Sequence, residues 1–224
     1  MHRLSAIVAV IALLLAGLAS LVTGSPHRPS PESFMADLQQ PAAGRFLVAS
    51  RKLHDAHFRK TVIYLLQHGR DGSIGLIVNR PLSVTLGEAL PDLELTHLGT
   101  HRLRYGGPVS KRNVIMLLRD IEATWQAMHI QDGVYASNNL ELLQHLNGMD
   151  KSADELRLFA GHAGWRSGQL QRELRRSDWH VADGDIGVLF AGDTTGLWQR
   201  LIDRLDPQGV YVRHTPGRLD TAGL

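Results

Sequence analysis

Short aliphatic runs, each closed off by glycine, proline or small polar residues, recur along this chain from residue 45 onward. Residues 45–49, 61–67, 73–79, 113–119, 133–136, 156–160 and 186–190 are of this kind. All are shorter than an ordinary helix and rich in β-branched or aliphatic side chains, so they read as strands. The second and third are separated by His68-Gly69-Arg70-Asp71-Gly72, a hairpin-length loop with two glycines. Pro81 closes the third, because proline cannot donate to a ladder. Helical patterns are fewer: residues 33–39 as a lead-in, 84–90, 138–148 and 169–176. Asn138 and Glu141 have a capping-box spacing ahead of Leu142, Leu143 and Leu146. The clearest helix places Leu197, Leu201 and Leu205 in one i, i+4 row beside Trp198 and Ile202, with Asp193 or a following threonine as its cap. Strands joined by hairpins and outnumbering helices indicate an α+β domain and argue against a doubly wound parallel sheet.

The 224 residues suffice for one good core and would make two domains cramped. A formal net charge of +2 gives no reason to invoke nucleic acid, and the absence of cysteine excludes disulfides, thiolate metal sites and a cysteine nucleophile. Residues 4–22 are almost wholly apolar and follow Met1-His2-Arg3; as a helix they would span about 28 Å, roughly a bilayer core. An uncleaved signal anchor is the first reading of residues 1–23 and a cleaved signal peptide the second. The expected localisation is then the inner membrane with the domain in the periplasm, or secretion into the periplasm. A proline-rich linker and the lead-in helix occupy residues 24–43, the folded domain residues 44–216 and a tail residues 217–224.

Ordered motifs run through the folded part: Gly44-Arg45-Phe46-Leu47-Val48-Ala49-Ser50, Gly75-Leu76-Ile77-Val78-Asn79-Arg80-Pro81, Tyr105-Gly106-Gly107-Pro108-Val109, and Gly161-His162-Ala163-Gly164-Trp165-Arg166 leading to Glu173. In that order they resemble the YqgE/AlgH family over roughly residues 44–206. The resemblance implies a single compact domain with a β-rich, partly barrel-like core and flanking helices. It implies no established enzymatic activity, and the AlgH name carries an association with transcriptional control of alginate production. His162 stands where the family more often has tyrosine. The apolar amino terminus is not typical of the family, and a domain outside the inner membrane would not meet DNA.

Asn79 and Arg80 end a strand, where an amide and a guanidinium could hold an anion or simply brace a corner. Gly106 and Gly107 could present backbone N–H groups to a phosphate or make a plain tight turn; neither a P-loop nor a GxGxxG pattern is present. Gly161 and Gly164 allow a sharp turn or a close approach, and Trp165 either plugs the core or floors a pocket. His162 and Glu173, with Asp193, could form an acid–base set. The candidate ligand surface therefore takes in Asn79, Arg80, Gly106, Gly107 and Gly161. His162, Gly164, Trp165, Gln169 and Glu173 complete it. His54 and His57 lack an obvious third ligand, so neither metal nor cofactor is expected. Arg172, Arg175 and Arg176, with Arg166 nearby, read as a solvated helix face more than as a nucleic-acid patch. A non-catalytic binding or regulatory domain for a protein or a small anionic ligand is the first functional reading. An enzyme acting on a small anionic substrate is the second.

Overall fold

The computed structural model describes residues 40–119, 126–149 and 155–207. The aliphatic runs become strands β1 (Phe46–Ala49), β2 (Val62–Gly69), β3 (Gly72–Ile77), β6 (Val109–Arg119), β8 (Val134–Ser137) and β9 (Leu156–Arg166). Four strands join them that no alternation marks clearly: β4 (Pro81–Thr85), β5 (Arg102–Tyr105), β7 (Met128–Gln131) and β10 (Trp179–Ala182). The sheet runs β10-β1-β2-β3-β9-β6-β8-β7, with β4 attached through β5, which pairs with β9. All of these pairings are antiparallel except β5 with β9. The β2–β3 hairpin is tighter than its loop suggested, since Gly69 pairs with Gly72 and only Arg70 and Asp71 turn. His68 Nδ1 and Ser73 Oγ lie 2.7 Å apart across it and lengthen the paired region.

The partly barrel-like core is corrected to an open, mostly β sheet with a few helices. Its outer strands β10 and β7 each pair on one side among the described residues. They approach without forming a ladder: Gln131 of β7 donates from Nε2 to the Gly184 carbonyl just beyond β10, at 3.2 Å.

Helices cover both faces. They are α1 (Leu86–Ala89), α2 (Leu140–Asn147), α3 (Gln169–Arg175), α4 (Ile186–Leu189) and α5 (Leu197–Leu205). Alternation along β9 divides the apolar interior. Phe159, Ala163 and Trp165 point into one cluster with Leu47, Ile63, Leu76 and the α5 residues Trp198 and Ile202. Leu156 and Leu158 point into the other, against Leu142, Leu143 and Leu146 of α2.

Several local expectations change. The 186–190 run is helix α4, not a strand: Asp185 caps it by accepting from Val188 N at 3.1 Å, and four apolar residues cannot tell strand from helix by periodicity. Helix α2 is capped by Asn139, one residue later than expected. Helix α5 is capped by Gly196 at φ +67°, while Asp193 accepts from Thr195 N at 2.7 Å in the preceding turn. Strand β9 runs through Gly161 as far as Arg166, six residues past its expected end, because Gly161, Ala163 and Trp165 keep the alternation with the core.

Residues 1–39 and 208–224 carry the expected anchor, most of the linker, the lead-in helix and the tail, and lie outside the described residues. Among the described residues no helix is long and apolar enough to cross a membrane.

Candidate functional site

The chain between β1 and β2 must reverse over residues 50–61, and the two side chains following β3 hold that reversal. Asp55 Oδ1 starts it, accepting from His57 N at 2.8 Å and Phe58 N at 3.1 Å. Lys60 adopts φ +56°, a conformation disfavoured for a residue with a Cβ. Asn79 stabilises it from both sides: Oδ1 accepts from Val62 N at 2.9 Å and Nδ2 donates to Lys60 O at 3.0 Å. Arg80 spreads its guanidinium over the same loop, donating to His57 O at 2.7 Å and Arg59 O at 2.9 Å. Tyr105 Oη lies 3.2 Å from His57 Nδ1. We expect Arg80→Ala to lower stability by about 2 kcal/mol, the scale of lost charged hydrogen bonds. Urea unfolding checks this; an unchanged midpoint would remove Arg80 from this role.

The same loop touches the second motif. Phe58 stacks on Trp165 with ring centroids 6.3 Å apart and meets Trp179 edge-on at 5.8 Å. Glu173 of α3 ties the two indoles together: Oε2 accepts from Trp165 Nε1 at 2.8 Å and Trp179 Nε1 at 2.9 Å. Its Oε1 accepts from Gln169 Nε2 at 2.9 Å, and Gln169 Oε1 accepts from Arg166 N at 3.1 Å. Asn79, Arg80, Trp165, Gln169 and Glu173 thus converge on one connected network around residues 57–62, with their hydrogen-bonding groups committed to it.

The glycines solve a crossing problem. Strand β5 runs parallel to β9 through Tyr105↔Ala160, then the chain passes over β9 and returns antiparallel as β6 at Val109↔His162. A Cβ on Gly106 would stand 2.2 Å from Gly161 O, and one on Gly107, at φ +152°, 2.2 Å from His162 C. A Cβ on Gly161, at φ +70°, would meet Gly107 O at 2.6 Å. Gly164 differs, with nothing closer than 3.8 Å to such an atom. His162 sits half-buried beside this crossing, and burial lowers its pKa from the ordinary histidine value.

A cleft of about 380 Å³ opens on the other side of the Asn79 corner. Of the ten candidate ligand residues only Asn79 lines it; Lys60, Arg104, Asp193, Thr194 and Thr195 are among the others. Arg104 is 9% exposed and donates only to neutral oxygens: Val78 O at 3.2 Å, Thr194 Oγ1 at 3.1 Å, Gly192 O at 3.1 Å and Ala191 O at 3.5 Å. No carboxylate pairs with it among the described residues. Burial lowers its pKa, with no charge partner to oppose the shift. Lys60 Nζ lies 5.7 Å from the centroid of the Trp198 ring. Asp193 adds one carboxylate, which its hydrogen bonds to Thr195 keep below the ordinary range. The available signal in the sequence was Gly192-Asp193-Thr194-Thr195-Gly196, a polar turn before an amphipathic helix. Nothing in it marked Arg104 or Lys60. Among the described residues no three His, Asp or Glu side chains are grouped to hold a metal ion.

A family model described as AlgH-like (DUF179) matches residues 46–209. The chain belongs to the YqgE/AlgH family. A UPF0301 protein of Magnetococcus marinus is 35% identical over 163 residues, covering 71% of this chain and 87% of that protein. One from Chlorobium luteolum is 32% identical, covering 78% and 92% respectively. The solution structure of the AlgH protein from Pseudomonas aeruginosa superposes with a TM-score of 0.63 at 26% identity, over 75% of this chain and 93% of that one. Protein DIP2367 from Corynebacterium diphtheriae, at 22% identity and a TM-score of 0.61, shares the fold.

These matches correct the inner-membrane and periplasmic placement. AlgH-like relatives align over nearly their whole length, and the family match begins at residue 46, so residues 4–22 are no part of what the family shares. Among the described residues no helix is long and apolar enough to cross a membrane, and the segment read as a signal anchor or signal peptide lies outside them.

Proposed function

We propose that this family member is a non-catalytic binding domain for a small oxyanion, held in the 380 Å³ cleft between Lys60 and the 192–196 turn with the start of α5. The observation carrying this reading is Arg104, a buried guanidinium with no carboxylate partner among the described residues. Burying a cation is costly unless a counter-charge is brought to it, and an anionic ligand supplies one. Lys60 adds a second positive charge, Thr194 and Thr195 add hydroxyls, and the first turn of α5 adds the backbone N–H groups of Trp198 and Gln199, that of Leu197 being taken by Thr194 O at 3.1 Å. Asp193 at the same cleft favours a ligand that also carries a donor, such as a hydroxyl or a protonated phosphate oxygen.

The enzyme reading through Asn79, Arg80, His162 and Glu173 is less well supported. Asn79, Arg80 and Glu173 hold loop backbone and indoles, and of the four only Asn79 lines the cleft. Titration calorimetry of the full chain with inorganic phosphate tests the binding reading. Lys60→Ala is expected to weaken binding about tenfold, the scale of one charged hydrogen bond. Lys111→Ala, on exposed β6, is expected to leave it unchanged. No heat of binding from the wild type, or equal affinity in Lys60→Ala, would overturn the assignment.

A further inference from the structure

Alternation along β9 puts Leu156, Leu158, Ala160, His162, Gly164 and Arg166 on one face of the sheet. The first three belong to the apolar cluster under α2. Beyond them the cover ends: His162 is half-buried, and Gly164 and Arg166 are exposed. Gly164 pairs with Ile74 of β3 and His162 with Val109 of β6, so Ile74 and Val109 flank β9 on this bare face. They are 37% and 42% exposed. Nothing inside the fold calls for a glycine at 164. Its φ lies outside the left-handed region, and an added Cβ would meet only Val109 Cγ2 at 3.8 Å and the His162 ring from 3.9 Å outward. A glycine weakens a strand interior; where neither conformation nor crowding requires it, it marks a place that something outside the strand approaches closely.

We propose that this bare face docks an acidic protein segment through an aromatic side chain laid on the Cα of Gly164. The Val109 methyl and the His162 ring stand beside that Cα, with Ile74 on the opposite strand, so a flat ring gains apolar contact on several sides. The rim sets the charge of the partner. Lys111 and Arg112 are exposed directly after Val109, and Arg166 is exposed on β9. Among the described residues none of these three side chains has a hydrogen bond or an ion pair. Arg70 and Asp71, in the turn beside Arg166, offset one another. A second copy of this chain would bring the same cations against them, whereas carboxylates flanking the aromatic residue complement them. The face shares no residue with the 380 Å³ cleft, so the two sites are independent.

The test is an NMR titration of the ¹⁵N-labelled full chain with the end-blocked peptide Asp-Glu-Trp-Glu-Asp. Saturable shifts are expected at Ile74, His162, Gly164 and the start of β6. Replacing the peptide's tryptophan by alanine should weaken binding about tenfold, and so should Gly164→Ala, whose methyl lifts the ring off the backbone. Lys111→Ala should weaken the peptide while leaving inorganic phosphate untouched. Absence of saturable shifts at these residues would overturn the proposal. So would equal binding of the alanine peptide, of Lys-Lys-Trp-Lys-Lys, or by Gly164→Ala. Shifts at the same residues from a single-stranded oligonucleotide but not from the peptide would overturn it in favour of nucleic acid. Shifts that depend on protein concentration alone would overturn it in favour of self-association. If Gly164→Ala does not fold, the peptide series on the wild type decides.

Discussion

Gly161→Ala is expected to prevent the chain from folding cooperatively, while Gly164→Ala, three residues along the same strand, shifts stability by less than about 1 kcal/mol. Two penalties meet at Gly161. Its φ of +70° is disfavoured for alanine, and the added Cβ would lie 2.6 Å from Gly107 O and 2.7 Å from Val109 O. Neither oxygen can retreat, because both belong to the backbone crossing over β9. Relief would require β6 to move away from β9, and that ladder joins the two apolar clusters. At Gly164 an alanine Cβ meets only ordinary contacts, the closest 3.8 Å away. Far-UV circular dichroism and urea unfolding of the two variants decide it. A folded Gly161→Ala with wild-type stability would mean the crossing is looser than the backbone distances require.

Glu173→Ala is expected to cost about 3 kcal/mol. One carboxylate oxygen accepts from both Trp165 Nε1 and Trp179 Nε1, and those residues are 6% and 4% exposed. Removing it strands two buried donors, at about 1–3 kcal/mol each. The loss should propagate, since Phe58 rests on both rings and Arg80 holds the neighbouring carbonyls. Glu173→Gln keeps an acceptor and should recover most of the stability. A red-shifted tryptophan emission in Glu173→Ala, absent in Glu173→Gln, would accompany the urea result. Equal stability of Glu173→Ala and wild type would assign the carboxylate some task other than holding the indoles.

The strands of the fold were legible where the chain is buried on both faces, as in Val62-Ile63-Tyr64-Leu65-Leu66, since an uninterrupted aliphatic run has few other uses. Strand β4 was not, because Pro81-Leu82-Ser83-Val84-Thr85 is partly exposed and pairs with β5 at only two positions. The motif residues were also legible, but their chemistry was not. Asn79 and Arg80 stood open between holding an anion and bracing a corner, because sequence shows donors without showing what accepts from them. Loop carbonyls some twenty positions away take up those donors. Arg104 was invisible for the opposite reason. It stands in Arg102-Leu103-Arg104-Tyr105, where strand alternation alone would point it either to solvent or inward. Its significance comes from the 191–194 carbonyls and hydroxyl that surround it nearly ninety positions later in the chain.

The pairing of β1 with β10, Phe46↔Ala182 through Ala49↔Trp179, has a consequence for how the protein is made. Among the described strands, the first to leave the ribosome gains one neighbour from β2 soon afterwards, but its other neighbour is translated last. At about 5–20 residues per second the intervening stretch takes on the order of ten seconds to synthesise. For that interval the nascent chain carries Phe46-Leu47-Val48-Ala49 with one hydrogen-bonding flank open, a segment whose residues are at most 1% exposed in the finished domain. Such an edge is what chaperones engage and what a second nascent copy would pair with. Expression yield should therefore respond to the speed of translation between β2 and β10 more than to the stability of the completed fold.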